Sequence, residues 1–161
     1  MKRVYLFLLL IISSIGLMAQ NRYIETIYDP IDSTLLEQYT YEDSTLIESI
    51  HYVYKSMDDL ALKIEYTYHN NGVVNTRTLE NYRNNQIVGR WQYTADDLLL
   101  FEESWKYDNK GRLLWRRQTF YDGAYIDKFI EKRKYRKDSY EVKAYLNKKL
   151  QYEYSDTISA N

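Results

Sequence analysis

A tyrosine followed by a short polar turn and an aliphatic residue recurs along the chain. The stretch YDNKGRL, from Tyr107 to Leu113, shows this unit in its clearest form. Between Tyr41 and Tyr135 the unit tyrosines are spaced 13, 14, 14, 11, 14, 14 and 14 residues apart. Such a period constrains the architecture more than any other feature, and it predicts a chain built from about eleven copies of one unit. The unit tyrosines are Tyr28, Tyr41, Tyr54, Tyr68, Tyr82, Tyr93, Tyr107, Tyr121, Tyr135, Tyr145 and Tyr154.

The residues between the turns alternate in character. From Leu60 to Tyr68 every second residue is large and apolar, and the residues between them are smaller or charged. This period of two predicts half-buried β-strands. The turns are rich in Asn, Asp, Gly and Ser, which tolerate the backbone of tight turns. We therefore expect antiparallel neighbours, with each unit tyrosine facing the aliphatic residue that begins the next strand.

An aromatic residue also stands two positions before six of the unit tyrosines, which suggests one aromatic face. Charged residues such as Glu103 and Glu131 interrupt that face, and a closed core would not accommodate them easily. The sequence therefore predicts an all-β fold: an antiparallel meander of about ten to eleven short strands in one elongated, twisted sheet. The alternative is an up-and-down barrel of about ten strands with a ligand cavity. The six aromatic residues are Tyr39, Tyr52, Tyr66, Trp91, Trp105 and Tyr152.

The N-terminal segment differs from the repeats. Lys2 and Arg3 precede an apolar run, and small residues follow up to Ala19. This order is typical of a secretory signal peptide, residues 1–19, and leaves 20–161 as a single repeat domain. A membrane anchor is the alternative, but the apolar run is shorter than the roughly 20 residues that span a bilayer. We expect export to the periplasm or the cell exterior, free or peripheral to the outer membrane, with no stable membrane span after cleavage.

Part of the chain resembles two repeat families. The stretches YHNNGV at 68–73 and NYRNNQIVGRWQY at 81–93 resemble the MORN-variant repeat. YDNKGRL at 107–113 and YDG at 121–123 resemble the Tyr-Asp repeat of secreted Rhs-type proteins. These resemblances cover residues 66–123 and imply an elongated array of β-hairpins without catalytic residues. The end of the leader, Met-Ala-Gln, is similar to that of secreted Bacteroidetes proteins.

No residue pattern predicts catalysis. His51 and His69 belong to different units, with no serine or carboxylate arranged beside them as in a triad. Glu102 and Glu103 are neighbours in a strand, so their carboxylates point to opposite faces and cannot share a substrate. The chain contains no cysteine and no phosphate-loop, zinc or calcium motif. We expect a non-enzymatic protein with no catalytic residue, metal site or cofactor.

The charge is distributed unevenly, although the formal net charge is only −1. Acidic residues dominate 22–65, and basic residues dominate 128–149. The basic end could attract an anionic glycan or an acidic protein, and the unlike ends of two copies could attract each other. We therefore expect a protein or an envelope glycan as partner, with self-association through sheet edges as a further alternative. Nucleic acid is not expected for an exported protein.

Candidate binding residues are aromatic or basic. Trp91, Trp105 and Trp115 lie on neighbouring predicted strands and could form a flat platform for sugar rings, although packing of the middle of the sheet is the more ordinary role for such residues. The function expected is a protein-interaction or envelope-scaffolding module. The alternative is a carbohydrate-binding module that uses the aromatic row. The candidates are Trp91, Trp105, Trp115, Tyr66, Tyr93, Tyr107, Lys132, Lys134 and Arg136.

Overall fold

The computed structural model describes residues 21–56, 59–137 and 139–157, and the expected signal peptide lies outside the described residues. The described chain forms eleven strands joined by short turns. The strands are β1 (Arg22–Tyr28), β2 (Leu35–Glu42), β3 (Thr45–Ser56), β4 (Asp59–Tyr68), β5 (Val74–Arg83), β6 (Gln86–Thr94), β7 (Leu99–Tyr107), β8 (Leu113–Asp122), β9 (Tyr125–Tyr135), β10 (Ser139–Leu146) and β11 (Lys149–Thr157).

The strands follow one another in chain order across a single antiparallel sheet. This confirms the predicted all-β meander. The first and last strands, β1 and β11, are not paired with each other, so the sheet is open and the barrel alternative is wrong. Charged residues lie on both faces, and closure would have buried one set of them without water. No helix in the described part of the chain is long and apolar enough to cross a membrane.

Several turns have a left-handed backbone. Asn84 and Asn85, between β5 and β6, have φ angles of 50° and 56°, and Asn147, between β10 and β11, has a φ of 48°. Asparagine adopts this conformation at lower cost than most residues. Two consecutive left-handed residues make a turn whose twist matches that of the strands it joins. The turn residues therefore favour tight hairpins.

The tyrosine that ends one strand faces an aliphatic or aromatic residue of the next strand. Tyr82 is opposite Ile87, and Tyr121 is opposite Ile126. Seven of the nine pairs that the sequence predicts between Tyr41 and Leu150 form as expected. In the other two, Tyr68 and Tyr93 face the residue after the expected one, Val74 and Leu99.

A one-residue bulge accompanies most of these pairs. In the β7–β8 hairpin Lys106 is opposite Trp115 and Tyr107 is opposite Leu113, which leaves Leu114 as an extra residue. Eight of the ten hairpins have this shift next to the unit tyrosine. In these hairpins the residue that faces one unit tyrosine lies an even number of positions before the next unit tyrosine. Strict alternation along the strand would therefore put both tyrosines on the same face. The extra residue therefore moves that tyrosine to the other face.

The remaining hairpins, β8–β9 and β9–β10, have no bulge. In these two, the residue that faces one unit tyrosine lies an odd number of positions before the next, so the next tyrosine again lies on the other face. Successive unit tyrosines thus lie on alternate faces, and the single aromatic face expected from the sequence is not formed. That expectation assumed strict alternation throughout each hairpin. We define the front face by Glu80 and Glu103, and the back face by Trp91 and Trp115. Tyr28, Tyr54, Tyr82, Tyr107 and Tyr135 lie on the front, and Tyr41, Tyr68, Tyr93, Tyr121 and Tyr145 lie on the back.

The sheet is one layer thick and has little conventional core. Among the described residues, only Ile50, Val142 and Ala144 are buried apolar side chains. Most others are half-buried, because long side chains on the same face cover one another. Cross-strand pairs, each worth about 0.2–1 kcal/mol, therefore supply much of the stability. Buried polar residues are Thr40, Ser49, Glu80, Glu103 and Thr119.

Candidate functional site

A ladder of alternating charges crosses the front face. Lys63, Glu80, Arg90 and Glu103 stand directly opposite one another on β4, β5, β6 and β7. Arg116 of β8 continues the series, because its Nε donates a hydrogen bond to Glu103 Oε1. We name these five residues the charge ladder. Each carboxylate of the ladder lies between two cations.

The distances within the charge ladder are short. Arg90 Nη2 lies 2.7 Å from Glu80 Oε1, and Arg90 Nη1 lies 3.6 Å from Glu103 Oε2. Lys63 Nζ lies 3.9 Å from Glu80 Oε2. The side chain of Glu103 is only 1% exposed, whereas those of Arg90 and Arg116 remain more than a third exposed. The ladder thus buries its anions and leaves its cations partly in water.

The environment of Glu80 favours its charged form. Burial by itself raises the pKa of a carboxyl group, and this is the largest single influence on Glu80. Tyr82 Oη and Arg90 Nε each donate a hydrogen bond of 2.7 Å to it. Together with the charges of Lys63 and Arg90, these bonds hold the pKa of Glu80 below its ordinary value. Each carboxylate of the ladder is thus neutralised by the cations on either side of it, which indicates a structural role.

A second polar cluster, on the back face, contains one of the two histidines. His51 Nδ1 lies 3.3 Å from Glu37 Oε1, and its ring stands edge-on to Tyr39 and Tyr66, with centroids 6.0 Å away in both cases. Tyr39 Oη donates a 2.6 Å hydrogen bond to Glu37. This bond, with burial, raises the pKa of Tyr39 to about 12. His69 lies in the β4–β5 turn of a different hairpin.

The three tryptophans do not share a surface. Trp91 is opposite Glu102 and Trp115 is opposite Lys106, both on the back face, whereas Trp105 lies on the front face. Glu102 and Lys106 are four residues apart on β7, so Trp91 and Trp115 are offset by about 13 Å along the strands. The platform that their neighbouring strands suggested is therefore not formed. On the front face, Arg90 lies over Trp105 at 5.6 Å from the ring centroid.

The structure does bring Trp115 together with two of the predicted basic residues. Lys106, Trp115, Lys132 and Lys143 stand directly opposite one another on β7, β8, β9 and β10. We name these four residues the lysine row. Lys134, two positions after Lys132 on β9, lies on the same back face. The row places one indole between two lysines on neighbouring strands.

Two shallow depressions adjoin at Trp115 and Lys132. One has a volume of about 330 Å³ and also touches Lys134, Lys143 and Glu141. The other, of about 210 Å³, also touches Arg117 and Ile130. Their apolar walls are formed by the indole and by lysine stems, and the charged groups around them are mainly cationic, with the Glu141 carboxylate at the first depression. They give the back face a place for a flat, charged ligand.

The other predicted binding residues lie elsewhere. Tyr66 is on the back face beside His51, and Tyr93 is on the same face beneath Arg77, 5.1 Å from its ring centroid. Tyr107 is on the front face, and Arg136 lies in the β9–β10 turn. None of these four residues lines either depression.

The two outermost strands are exposed along their whole length. Every residue of β1 and of β11 is exposed to solvent. Within the described residues, each of these strands has a neighbour on one side only. The outer backbone groups are therefore available for pairing with a further strand.

No protein-family model matches the chain, and no curated protein matches it significantly. The resemblance to MORN-variant and Tyr-Asp repeats therefore stays a prediction. Function has to be inferred from geometry and charge. No group of three or more His, Asp or Glu residues in the described ranges is placed to hold a metal ion.

The charge ladder and the position of Lys106 beside Trp115 were not predicted from the sequence. Both depend on which residues stand opposite each other across four or five strands. The tyrosine–aliphatic pairs contained part of this information, because they specify the register at each turn. The bulges supplied the rest, and nothing in the sequence marked Leu114 as an extra residue rather than a regular one.

Proposed function

We propose that this protein is an exported, non-enzymatic interaction or envelope-scaffolding module that binds a protein partner at its open sheet edges. The observation that carries this proposal is that β1 and β11 each have one outer edge with no neighbouring strand among the described residues. An exposed strand edge recruits another strand through backbone hydrogen bonds, while alternate side chains add selectivity.

The composition of the edges supports binding. Natural sheets usually protect a free edge with lysine, proline or a very short strand. β1 instead exposes Tyr23, Ile24, Ile27 and Tyr28, each at least 43% exposed. On β11, Leu150 is 53% exposed, although Lys149, Glu153 and Asp156 place charges on that strand. The apolar edge at β1, in particular, favours a strand partner.

Export and the absence of enzymatic activity belong to the same proposal. The basic start and short apolar run of residues 1–19 support export to the periplasm or the cell exterior. The internally paired charge ladder and the separation of His51 from His69 support a binding role rather than catalysis. A sheet whose outer edges are both free suits a scaffold, since it has two places to engage neighbours.

The test is a pull-down with the purified, immobilised protein and envelope fractions of the source cell, with and without prior protease digestion. Ile24→Lys on β1 and Leu150→Lys on β11 place a charge on each edge. Ile31→Lys is the matched control, since Ile31 is 93% exposed in the β1–β2 turn rather than on an edge. We expect capture to be lost after digestion and reduced by an edge variant but not by the control. Capture that is equal for all three variants would refute edge binding.

A carbohydrate-binding function is the second candidate, and one observation favours it. Trp115 lies half-buried between Lys106 and Lys132, at the junction of two shallow depressions. An exposed indole face flanked by polar groups is a common design for small-ligand recognition. This function would use the back face rather than the edges, so the two candidates are separable by mutation.

A further inference from the structure

The charge ladder and the lysine row, on opposite faces of the sheet, differ in how their charges are arranged. On the front face, the charge ladder alternates cation and anion, and each carboxylate is paired on both sides. On the back face, the lysine row contains three lysines and no carboxylate across four strands. Lys132 stands directly opposite Lys143, and like charges in this position destabilise a sheet. A same-sign row is therefore a local cost to folding.

Part of that positive charge is not neutralised within the protein. Lys143 is paired, since its Nζ lies 3.0 Å from Glu141 Oε1 and 3.0 Å from Glu153 Oε1. Lys106 and Lys132 have no carboxylate within salt-bridge distance among the described residues, whereas Lys134 stands opposite Glu141, which Lys143 already engages. Lys132 is held instead over the ring of Tyr145, with Nζ 5.7 Å from the centroid. Ammonium groups without a carboxylate partner thus flank the half-buried indole of Trp115.

We propose that the lysine row is a binding site for an anionic glycan, a polymer of sugars that carry carboxylate groups. The apolar face of a sugar ring stacks on Trp115 through dispersion contacts. Lys106 and Lys132, on either side of the indole, pair with carboxylates of the same or adjacent sugars. This inference deepens the second candidate function and rests on it.

The geometry suits a polymer that crosses the strands. The row extends over three interstrand spacings, about 14 Å in all. The two depressions continue on both sides of the indole, so a ligand longer than one ring has a surface to follow. Lysine presents a point charge on a flexible stem, which can adjust to carboxylates at several positions along a polymer. Single-stranded nucleic acid also combines rings with charge, but the proposed export places the protein among glycans.

Binding of polygalacturonate to the purified full-length protein tests the proposal, with dextran as the neutral comparison and titration calorimetry as the measurement. We expect polygalacturonate to bind, dextran not to bind, and added salt to weaken binding. Trp115→Ala should lower the affinity about tenfold or more, as loss of a central aromatic contact does. Lys106→Gln and Lys132→Gln should each lower it about threefold to tenfold.

Matched controls separate the site from general effects. Trp105→Ala removes the same side chain from the front face, and Lys137→Gln removes one positive charge from the exposed β9–β10 turn. Both should bind as the unchanged protein does. If Trp115→Ala fails to fold, Lys106→Gln and Lys132→Gln still decide the outcome. Equal losses in Trp105 and Trp115 variants, no binding of polygalacturonate, or tighter binding of oligo-thymidine than of polygalacturonate would each overturn the proposal.

Edge variants distinguish this site from the proposed protein-binding edges. Ile24→Lys and Leu150→Lys should leave polygalacturonate binding unchanged, and Trp115→Ala should leave protein capture unchanged. If the unchanged protein captures a protein partner but does not bind polygalacturonate, only the lysine-row proposal fails. If it binds polygalacturonate but captures no protein partner, only the edge proposal fails.

Discussion

The indole of Trp91 lies over Gly89, the residue two positions before it on β6. A Cβ atom placed on Gly89 would stand 2.3 Å from a ring carbon of Trp91, which is far closer than any van der Waals contact. A glycine within a strand is unfavourable by itself, and a neighbouring aromatic ring compensates by covering the exposed backbone. Gly89 is accordingly buried.

Gly89→Ala should destabilise the protein by about 1–3 kcal/mol, because the indole must leave its position. The same change in a Trp91→Ala background should be neutral or stabilising, since alanine is better than glycine in a strand once the ring is gone. Urea denaturation of the four proteins in this double-mutant cycle measures the coupling. An equal cost of Gly89→Ala in both backgrounds would show that the ring does not occupy this site.

Glu103→Gln should lower the free energy of unfolding by about 1–3 kcal/mol. Removing one partner of a buried pair leaves its cations uncompensated, and water at the partly exposed Arg90 and Arg116 reduces the cost. Glu102→Gln is the control: its side chain is 27% exposed on the other face, 4.0 Å from Arg117. We expect the control to change stability by less than about 0.5 kcal/mol in urea denaturation. Similar values for the two variants would contradict a stabilising ladder.

Asn85 has two roles in the β5–β6 turn, which glycine and alanine variants separate. Its φ is 56°, and its Oδ1 accepts a 3.1 Å hydrogen bond from the backbone amide of Leu60, at the start of β4. Asn85→Gly removes that bond but keeps the backbone relaxed, at a cost of about 0.5–1.5 kcal/mol. Asn85→Ala adds a left-handed penalty of about 1 kcal/mol. Thermal unfolding should therefore rank wild type above glycine and glycine above alanine; a reversed order of the two variants would be inconsistent with the turn geometry.

Stability at acid pH should depend on Glu80. Its folded pKa lies below the ordinary value of 4.5, so its contribution is present above that value and is lost as the pH falls through the folded pKa. The stability difference between wild type and Glu80→Gln should accordingly be largest near neutral pH and shrink on acidification. Urea denaturation across this pH range provides the measurement. A difference that stays constant with pH would mean that the Glu80 carboxylate contributes nothing through its charge.

Stability at alkaline pH should depend on the tyrosines. Tyr39 has its pKa raised to about 12 by its hydrogen bond to Glu37 and by burial, and eight others have theirs raised chiefly by burial. Their contribution is present below the ordinary value of 10.0 and is lost as the pH rises through the folded pKa values. Ultraviolet absorbance should show ionisation at higher pH in the native protein than in urea, and coincident curves would contradict this. The eight are Tyr41, Tyr52, Tyr54, Tyr82, Tyr107, Tyr121, Tyr140 and Tyr152.

The fold could be predicted from the sequence because its strands and turns are specified by short stretches of residues. The alternation from Leu60 to Tyr68 and the turn at Asn84-Asn85 are short-range features, and each specifies its own strand or hairpin. The pairing of Tyr82 with Ile87 followed from them. The meander could therefore be predicted, since joining successive hairpins requires only neighbouring strands to pair.

The expected tryptophan platform failed for a different reason. Trp91 and Trp105 hold the same place in their units, two residues before a unit tyrosine. Leu100 is an extra residue in β7, between the partners of Gln92 and Tyr93 on β6. It shifts the alternation of β7 by one position, so Trp91 and Trp105 lie on opposite faces. A single extra residue has little signature in composition or periodicity, yet it reverses every side chain that follows it in the strand.

The strands, the turns, the tyrosine–aliphatic pairs and the order of the meander could all be predicted from the amino-acid sequence, because each depends on residues close together in the chain. Three features became apparent only in the folded chain: the face of each aromatic residue, the burial of Glu103 between Arg90 and Arg116, and the position of Trp115 between Lys106 and Lys132. These features depend on register summed over several hairpins. A one-residue bulge in a single hairpin is enough to change which side chains lie opposite each other on the strands that follow.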